Sequence, residues 1–233
     1  MIHTEYFTFN AFQERCTLAW DDNRSCVIAD PGCLTDSEIS RLVSFIDSKG
    51  LTPVCIMLTH CHFDHIYGMA PLAKKYSIPV YAHPEEMYTL EQTNPYVCQA
   101  YGLPLPSTFP IIKTQEEEEM PSTYIPVTEG DTIKAGSMCF EVFETPGHTT
   151  GGVCFLERNE KILISGDTLF AGSIGRTDHP GGDYDALMKG IFEKLLMLDG
   201  DVKIIPGHGP ESDIATERMT NPFLLPFNEP YED

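Results

Sequence analysis

The sequence contains no apolar run approaching the ~20 residues that a bilayer-spanning helix requires. Its opening, Met1-Ile2-His3-Thr4-Glu5-Tyr6, has neither the basic region nor the apolar core of a secretory signal, so a cytoplasmic location is expected. Positive charge is scarce: 15 Lys and Arg stand against 35 Asp and Glu, a formal net charge of -20. Phosphate backbones and anionic lipid surfaces need a basic face, so neither nucleic acid nor membrane is an expected partner. The 8 cysteines include no CxxC pair, and without a secretory signal they are not expected to form a disulfide framework. Cys55 and Cys154 lie inside apolar, strand-like runs, where a free thiol acts as a small hydrophobe.

What the sequence does have is Thr59-His60-Cys61-His62-Phe63-Asp64-His65, three imidazoles and a carboxylate within six residues. The cluster follows the apolar run Val54-Cys55-Ile56-Met57-Leu58, which reads as a short buried strand, so it belongs in the loop at that strand's C-terminal end. One histidine in such a place is an ordinary surface residue. Four crowded metal-competent side chains need a cation to organise them, and imidazole with carboxylate suits zinc, iron or manganese. Cys61 lies between two of these residues but points away from them in an extended segment, so a packing role is expected.

With 233 residues, 42% hydrophobic and 21% charged, the chain has the composition of a globular protein with a sizeable core. A hairpin is expected from Tyr6–Phe9 and Cys16–Trp20 through the turn Asp21–Arg24 to Ser25–Ala29. Asp30-Pro31-Gly32 ends it, with Asp30 read as a turn-capping residue that has some reach toward the cluster. Thr35 and Glu38 form a capping box for a helix carrying Ile39, Leu42, Val43 and Ile46 at helical spacing, which Gly50 stops. A helix over Gly68–Tyr76 and a strand at Pro79–Ala82 follow, and the alternation argues for layered α and β structure.

The pattern weakens between about 85 and 127. Pro104, Pro106, Pro110 and the run Glu116–Glu119 mark irregular exposed chain, expected as an insertion bordering the site within a single domain spanning residues 1–233. Tyr96, Tyr101 and Phe109 in it are weighed as pocket-lining residues or, more simply, as ties to the body. Strands are expected near Thr132–Ala135, Met138–Glu144, Gly152–Leu156, Lys161–Ser165 and Val202–Ile205. One helix is expected over about Tyr184–Leu198 and another from near Glu211. The last stretch, Asn221–Phe227, is too apolar to float free and is expected as an extended tail packed on the body or on a partner.

Three later positions repeat the context of the first cluster. Pro146-Gly147-His148, Gly166-Asp167 and Pro206-Gly207-His208-Gly209 each follow an apolar strand through a glycine-bearing turn. Each alone fits a turn cap or a hydrogen-bonded loop histidine, but the shared pattern points to one site at the carboxyl ends of strands. Seven candidate ligands exceed one tetrahedral ion and suit two ions sharing a bridge. Two cations ~3.5–4 Å apart hold a water, lower its pKa toward ~7 and polarise a carbonyl, with no serine or cysteine nucleophile needed.

The order His60-x-His62-x-Asp64-His65, His148, Asp167, His208 resembles the metallo-β-lactamase superfamily signature over nearly the whole chain. Thr145–Gly151, Ser165–Phe170, Gly175-Arg176-Thr177-Asp178, Ile205–Pro210 and Glu217-Arg218-x-x-Asn221-Pro222-Phe223 resemble its short glyoxalase II-like hydrolases. The resemblance implies an α+β fold, a four-layer αβ/βα sandwich with metals at one edge between two sheets. It implies two divalent ions, zinc first with iron or manganese as alternatives: His60, His62 and His148 on one, Asp64, His65 and His208 on the other, and Asp167 bridging. Asp64 is then also the catalytic residue that orients a metal-bridged hydroxide for attack on a small-molecule thioester. Arg176 and Asp178 are expected to brace their loop. Glyoxalase II enzymes continue into a helical domain with basic groups for glutathione, whereas only Arg218 is basic after His208, so another thiol carrier is plausible. A persulfide dioxygenase with one iron on His60, His148 and Asp167 resembles the same motifs. A lactonase, a β-lactamase and a non-enzymatic metal-binding protein are weaker alternatives. His3, His83 and His179 have no assigned role, although His179 lies near the site loop, and the sequence does not set the oligomeric state.

Overall fold

The structure is a computed structural model that describes residues 1–113 and 123–225. Among these, one sheet runs in the order β1 (Ile2–Phe9), β2 (Glu14–Asp21), β3 (Ser25–Ala29), β4 (Thr52–Met57), β5 (Val80–Ala82), β6 (Tyr124–Pro126). β1 to β3 form antiparallel pairs, and β3 to β6 are parallel. The second half supplies β7 (Thr132–Ala135), β8 (Met138–Glu144), β9 (Val153–Glu157), β10 (Ile162–Gly166), the small hairpin of β11 (Leu169–Phe170) with β12 (Ser173–Ile174), β13 (Lys203–Pro206) and β14 (Ser212–Asp213). Its sheet has the order β14-β13-β10-β9-β8-β7, with β10 and β13 parallel.

The strands are apolar on both faces because both faces are covered. Successive residues turn to opposite sides: Ile28 and Ile56 pack outward, while Val27, Ala29, Cys55 and Met57 meet Phe140, Val142, Phe155 and Ile164 of the other sheet. On the outer face of the first sheet lie the helices α1 (Asp36–Lys49) and α3 (Met69–Tyr76), just after the short α2 (Phe63–Ile66). Over the second sheet, Cys154, Leu156, Leu163 and Ile204 pack on α5 (Tyr184–Glu193) and α6 (Ile214–Thr220). Helix, sheet, sheet and helix therefore stack as four layers, as the resemblance implied.

Local signals hold where they rest on caps. Thr35 and Glu38 bond reciprocally at the start of α1, and Gly50 closes it at φ 61°. Four expectations are corrected. The region after β5 is not irregular throughout: a 3-10 turn (Pro84–Glu86), a π turn (Thr89–Thr93) and α4 (Asn94–Tyr101) follow in near succession. Polar side chains with internal partners, rather than an apolar stripe, order that stretch, so periodicity missed it. The run Glu116–Glu119 lies outside the described residues. The helix expected to reach Leu198 breaks at Lys194, whose φ of -120° and ψ of -62° leave the helical region, and a 3-10 turn (Leu195–Met197) continues.

The final helix starts at Ile214 rather than Glu211, capped by Asp213. Asn221–Leu225 is a compact turn rather than an extended tail, with Leu224 in the outer core of the second sheet; Pro226 and Phe227 lie outside the described residues. All 8 cysteines are free, and Cys61 packs into the helix-covered core as expected. No helix among the described residues is long and apolar enough to cross a membrane.

Candidate metal centre

All seven candidate residues follow the C-terminal ends of strands. His60 and His62 leave β4, Asp64 and His65 open α2, and His148, Asp167 and His208 follow β8, β10 and β13. Parallel neighbours place those ends on one side, so residues far apart in sequence meet. His62 Nδ1 lies 2.9 Å from His148 Nε2, and His65 Nε2 lies 3.2 Å from His208 Nε2. Asp64 Oδ2 stands 3.7 Å from His65 and 3.5 Å from His208. Asp167 reaches three imidazoles: His148 at 3.4 Å, His208 at 3.5 Å and His65 at 3.6 Å. Three clusters of metal-competent atoms result: His60–His62–His148, Asp64–His65–His208 and, linking them, Asp30–His60–His65; Asp167 meets His148 of the first and His65 and His208 of the second.

Hydrogen bonds around the rim fix the tautomers. His148 Nδ1 donates to the Arg176 carbonyl at 2.8 Å and His208 Nδ1 to the Phe12 carbonyl at 3.1 Å. Thr59 donates its hydroxyl to Asp30 at 2.6 Å, so Thr59 Oγ1 is the acceptor for His60 Nδ1 at 3.1 Å. His65 Nδ1 faces Asp30 Oδ2 at 3.4 Å. His60, His148 and His208 therefore each turn Nε2 inward. His60 Nε2 and Asp167 Oδ1 are buried with no hydrogen-bond partner. A buried lone pair left so costs roughly 1–3 kcal/mol, which a coordinated cation removes. The donor set fits divalent cations of the imidazole- and carboxylate-binding kind.

Electrostatics divide the two triads. Burial first, then the neighbouring imidazoles, hold His60 and His62 well below the ordinary histidine value. Burial also opposes charge on His65, but Asp167, Asp64 and Asp30 outweigh it and push the ring up to about 10. His208 is raised as well, by Asp64 and Asp167 against burial. Asp64 is held low by His65 and His208 despite its burial. Behind this triad Glu14 is fully buried; burial first, then Asp30 and Asp64, raises it well above the usual carboxylate range.

The glycines of the ligand turns are required by contact. A Cβ on Gly207 would lie against Asp167 Oδ1 and His65 Cε1, and one on Gly166, at φ +49°, against the Thr59 side chain.

Asp30 is a correction: its carboxylate binds the Thr59 N–H at 2.8 Å and the Thr59 hydroxyl, and faces His65 rather than capping its own turn. Arg176 and Asp178 pair in two-pronged fashion at 2.7 and 3.1 Å, while the Arg176 carbonyl holds His148. Tyr96 (65% exposed) and Tyr101 (76%) point to solvent, whereas Phe109 (2%) is buried and ties its segment down. His179 packs edge-on to His62 and His148, with ring centroids 4.9 and 5.0 Å away. His83 binds Glu144 at 3.0 Å and His3 stacks on Trp20. Sequence reasoning missed Glu86 and Asn94, whose side chains bond the backbone of the His60–Asp64 loop. Nothing in the local pattern Pro84-Glu85-Glu86 separates a buried carboxylate from a solvated one.

The fold and this arrangement define a metallo-hydrolase class, and comparison with known proteins places the chain in it. It matches the metallo-beta-lactamase superfamily over residues 10–208, and it belongs to that superfamily. It is 35% identical over 223 residues to the hydroxyacylglutathione hydrolase GloC of Haemophilus influenzae, covering 96% of this chain and 98% of that one. Among solved structures it resembles the BLEG-1 B3 metallo-beta-lactamase, with a TM-score of 0.82, 33% identity, and 95% and 99% of the two chains covered. It also resembles TTHA1623 in a di-iron-bound form, with a TM-score of 0.78, 34% identity, and 94% and 100% covered. The family and fold implied by the sequence motifs are thus borne out.

Proposed function

We propose that this protein is a two-metal hydrolase of thioesters. The observation that carries the reading is the convergence of seven side chains from both halves of the chain, with lone pairs of His60 and Asp167 buried and unpartnered. His60, His62 and His148 would hold one divalent cation, Asp64, His65 and His208 the other, and Asp167 both. Such ions supply Lewis acidity, polarising a carbonyl oxygen and lowering the pKa of a water toward ~7.

The chain's own residues do the rest. Asp64, kept ionised by His65 and His208, accepts a hydrogen bond on its carboxylate and orients the attacking water. The rims of Thr59, Arg176 and Phe12 hold the imidazoles in one tautomer, so no ring must turn during a cycle. Attack forms a C–O bond and breaks the C–S bond, and the proton lost by the water passes to solvent. With a pKa of ~8.5 the departing thiol leaves as thiolate and takes up a solvent proton, so no dedicated general acid is needed. The likeness to a hydroxyacylglutathione hydrolase supports a thioester, and the likeness to a di-iron protein makes iron as well as zinc an ion to supply.

The test is hydrolysis of S-D-lactoylglutathione by protein of known metal content. Turnover that chelation abolishes and added metal restores is the expected result; no turnover with two ions bound would overturn the choice of thioester. The likeness to BLEG-1 favours a second assay on a cephalosporin. Oxygen uptake with a persulfide, by protein holding a single iron, would transfer the assignment to a dioxygenase.

A further inference from the structure

The segment between β5 and β6 contributes none of the seven candidate ligands, yet it binds the backbone that carries three of them. Glu86 is 1% exposed and spans two loops. Its Oε2 accepts the Cys61 N–H at 2.6 Å, and its Oε1 accepts the Thr149 hydroxyl at 2.5 Å and the Gly151 N–H at 3.1 Å. Cys61 lies between His60 and His62, and Thr149 directly follows His148. Asn94, equally buried, takes the two backbone groups that flank His62. Its Nδ2 donates to the Cys61 carbonyl at 2.8 Å, and its Oδ1 accepts the Phe63 N–H at 3.0 Å. The amide can sit only one way round, since reversing it would set donor against donor and acceptor against acceptor.

His62 is the ring of its triad that offers Nδ1, the nitrogen nearest the backbone, to the shared point. A side chain that ligates through Nε2 can absorb a main-chain shift by rotating. One that ligates through Nδ1 follows the main chain closely. The placement of His62 Nδ1 against His148 Nε2 is therefore set by whatever fixes Cys61, Phe63 and Thr149, and here Glu86 and Asn94 do so.

We propose that Glu86 and Asn94 are positioning residues that set the gap between His62 and His148 and thereby the cation affinity of the His60–His62–His148 pocket. This rests on the reading of that triad as the ligands of one ion. Glu86→Gln keeps the shape but turns an NH2 toward an N–H or O–H donor, so at least one of the ties is lost. Groups that orient metal ligands change affinity by roughly 10–100-fold when altered, and that is the size expected for one pocket only.

A brace that merely stabilises the fold would behave differently, and Asp21 provides the control. It accepts the Ser137 N–H and hydroxyl at 2.8 and 2.9 Å and the Ser25 N–H at 3.0 Å, at the end of β2 and β3 remote from the ligand loops.

The experiment strips the protein of metal and titrates it with Co(II), following binding by calorimetry and by the visible spectrum. His148→Ala marks which ion belongs to the imidazole triad. Wild type and Asp21→Asn should bind two ions with the same affinities. Glu86→Gln and Asn94→Asp should keep one ion at wild-type affinity and bind the ion marked by His148→Ala roughly 10–100-fold more weakly. Thr149→Val, which leaves the carboxylate and its backbone bonds in place, should move the same ion in the same direction by less, and it decides the matter if Glu86→Gln does not fold. Unchanged binding in these variants, or equal weakening of both ions, overturns the clamp while the two-metal reading stands. Fewer than two ions in the wild type overturns that reading and the clamp with it.

Discussion

His60, His62 and His148 crowd against one another with Asp167 3.4 Å from His148, whereas His65 and His208 sit among Asp30, Asp64 and Asp167. The same side chain therefore carries opposite proton affinity in adjacent pockets. Burial and imidazole neighbours keep the first group neutral, while carboxylates draw a proton onto His65. A cation entering the first pocket meets ready lone pairs. In the second it must displace a proton. Residue type defines what a site can bind, and surroundings define what it must give up to bind it.

Asp167 meets imidazoles of both pockets, so its removal should collapse the distinction. Asp167→Ala is expected to lower kcat for the thioester by at least ~10²–10³-fold, the size seen when one electrostatic group is taken from a transition state. Metal analysis should show loss from both pockets, and a variant retaining both ions and full rate would refute the shared role.

A selective lesion comes next. Asp30→Asn leaves every candidate ligand in place but weakens the acceptor that His65 and, through Thr59, His60 depend on. Cation affinity should fall roughly 10–100-fold. Competition with a chromophoric chelator measures this, and a loss confined to the pocket without His65 would contradict the assignment.

The contrast also predicts the pH dependence. With one proton displaced from a group at about 10, affinity of the carboxylate pocket should fall about tenfold for each pH unit from 8 down to 7. The imidazole pocket should be nearly flat over that range. Calorimetry in buffers of different ionisation enthalpy reads the released proton directly. Stability of the cation-free protein follows the same signs. The raised His65 contributes fully below its unfolded value of about 6.5, and that contribution fades as pH climbs through about 10. The depressed His60 and His62 contribute fully above about 6.5 and lose their contribution as pH falls. Thermal melts should therefore weaken on both sides of about pH 6.5.

The smallest effect expected lies outside the site. Thr35→Ala removes the cap of α1 and should cost about 1 kcal/mol by denaturant unfolding, with both cation affinities unchanged. A change in metal binding would mean that the helix layer is coupled to the ligand loops.

Much of the site was legible because its residues announce themselves locally. The His60–His65 run, and the glycine turns at His148, Asp167 and His208, each combine an apolar strand with a ligand-bearing turn, and that signal survives without tertiary context. Asp30 was seen but weighed as a turn residue, since nothing in Asp30-Pro31-Gly32 reveals the Thr59 and His65 it meets. Glu86 and Asn94 were invisible. Most of their partners are backbone groups, of Cys61, Phe63 and Gly151, and a backbone group has no signature in sequence. The helical order after β5 was lost for a related reason, because buried polar side chains rather than apolar spacing hold it.

The sequence by itself determined the chemistry available: which side chains have lone pairs for a cation, that strands deliver them to turns, and, through the family resemblance its motifs carry, a four-layer sandwich. Tertiary structure alone decided which nitrogen each imidazole offers, which histidines carry a proton, and which carboxylates orient rather than ligate. Those properties depend on distances of about 3 Å between residues far apart in the chain, such as His62 and His148 or Asp30 and His65. The first distance arises only when the two sheets close on one another, the second only when β3 and β4 pair side by side.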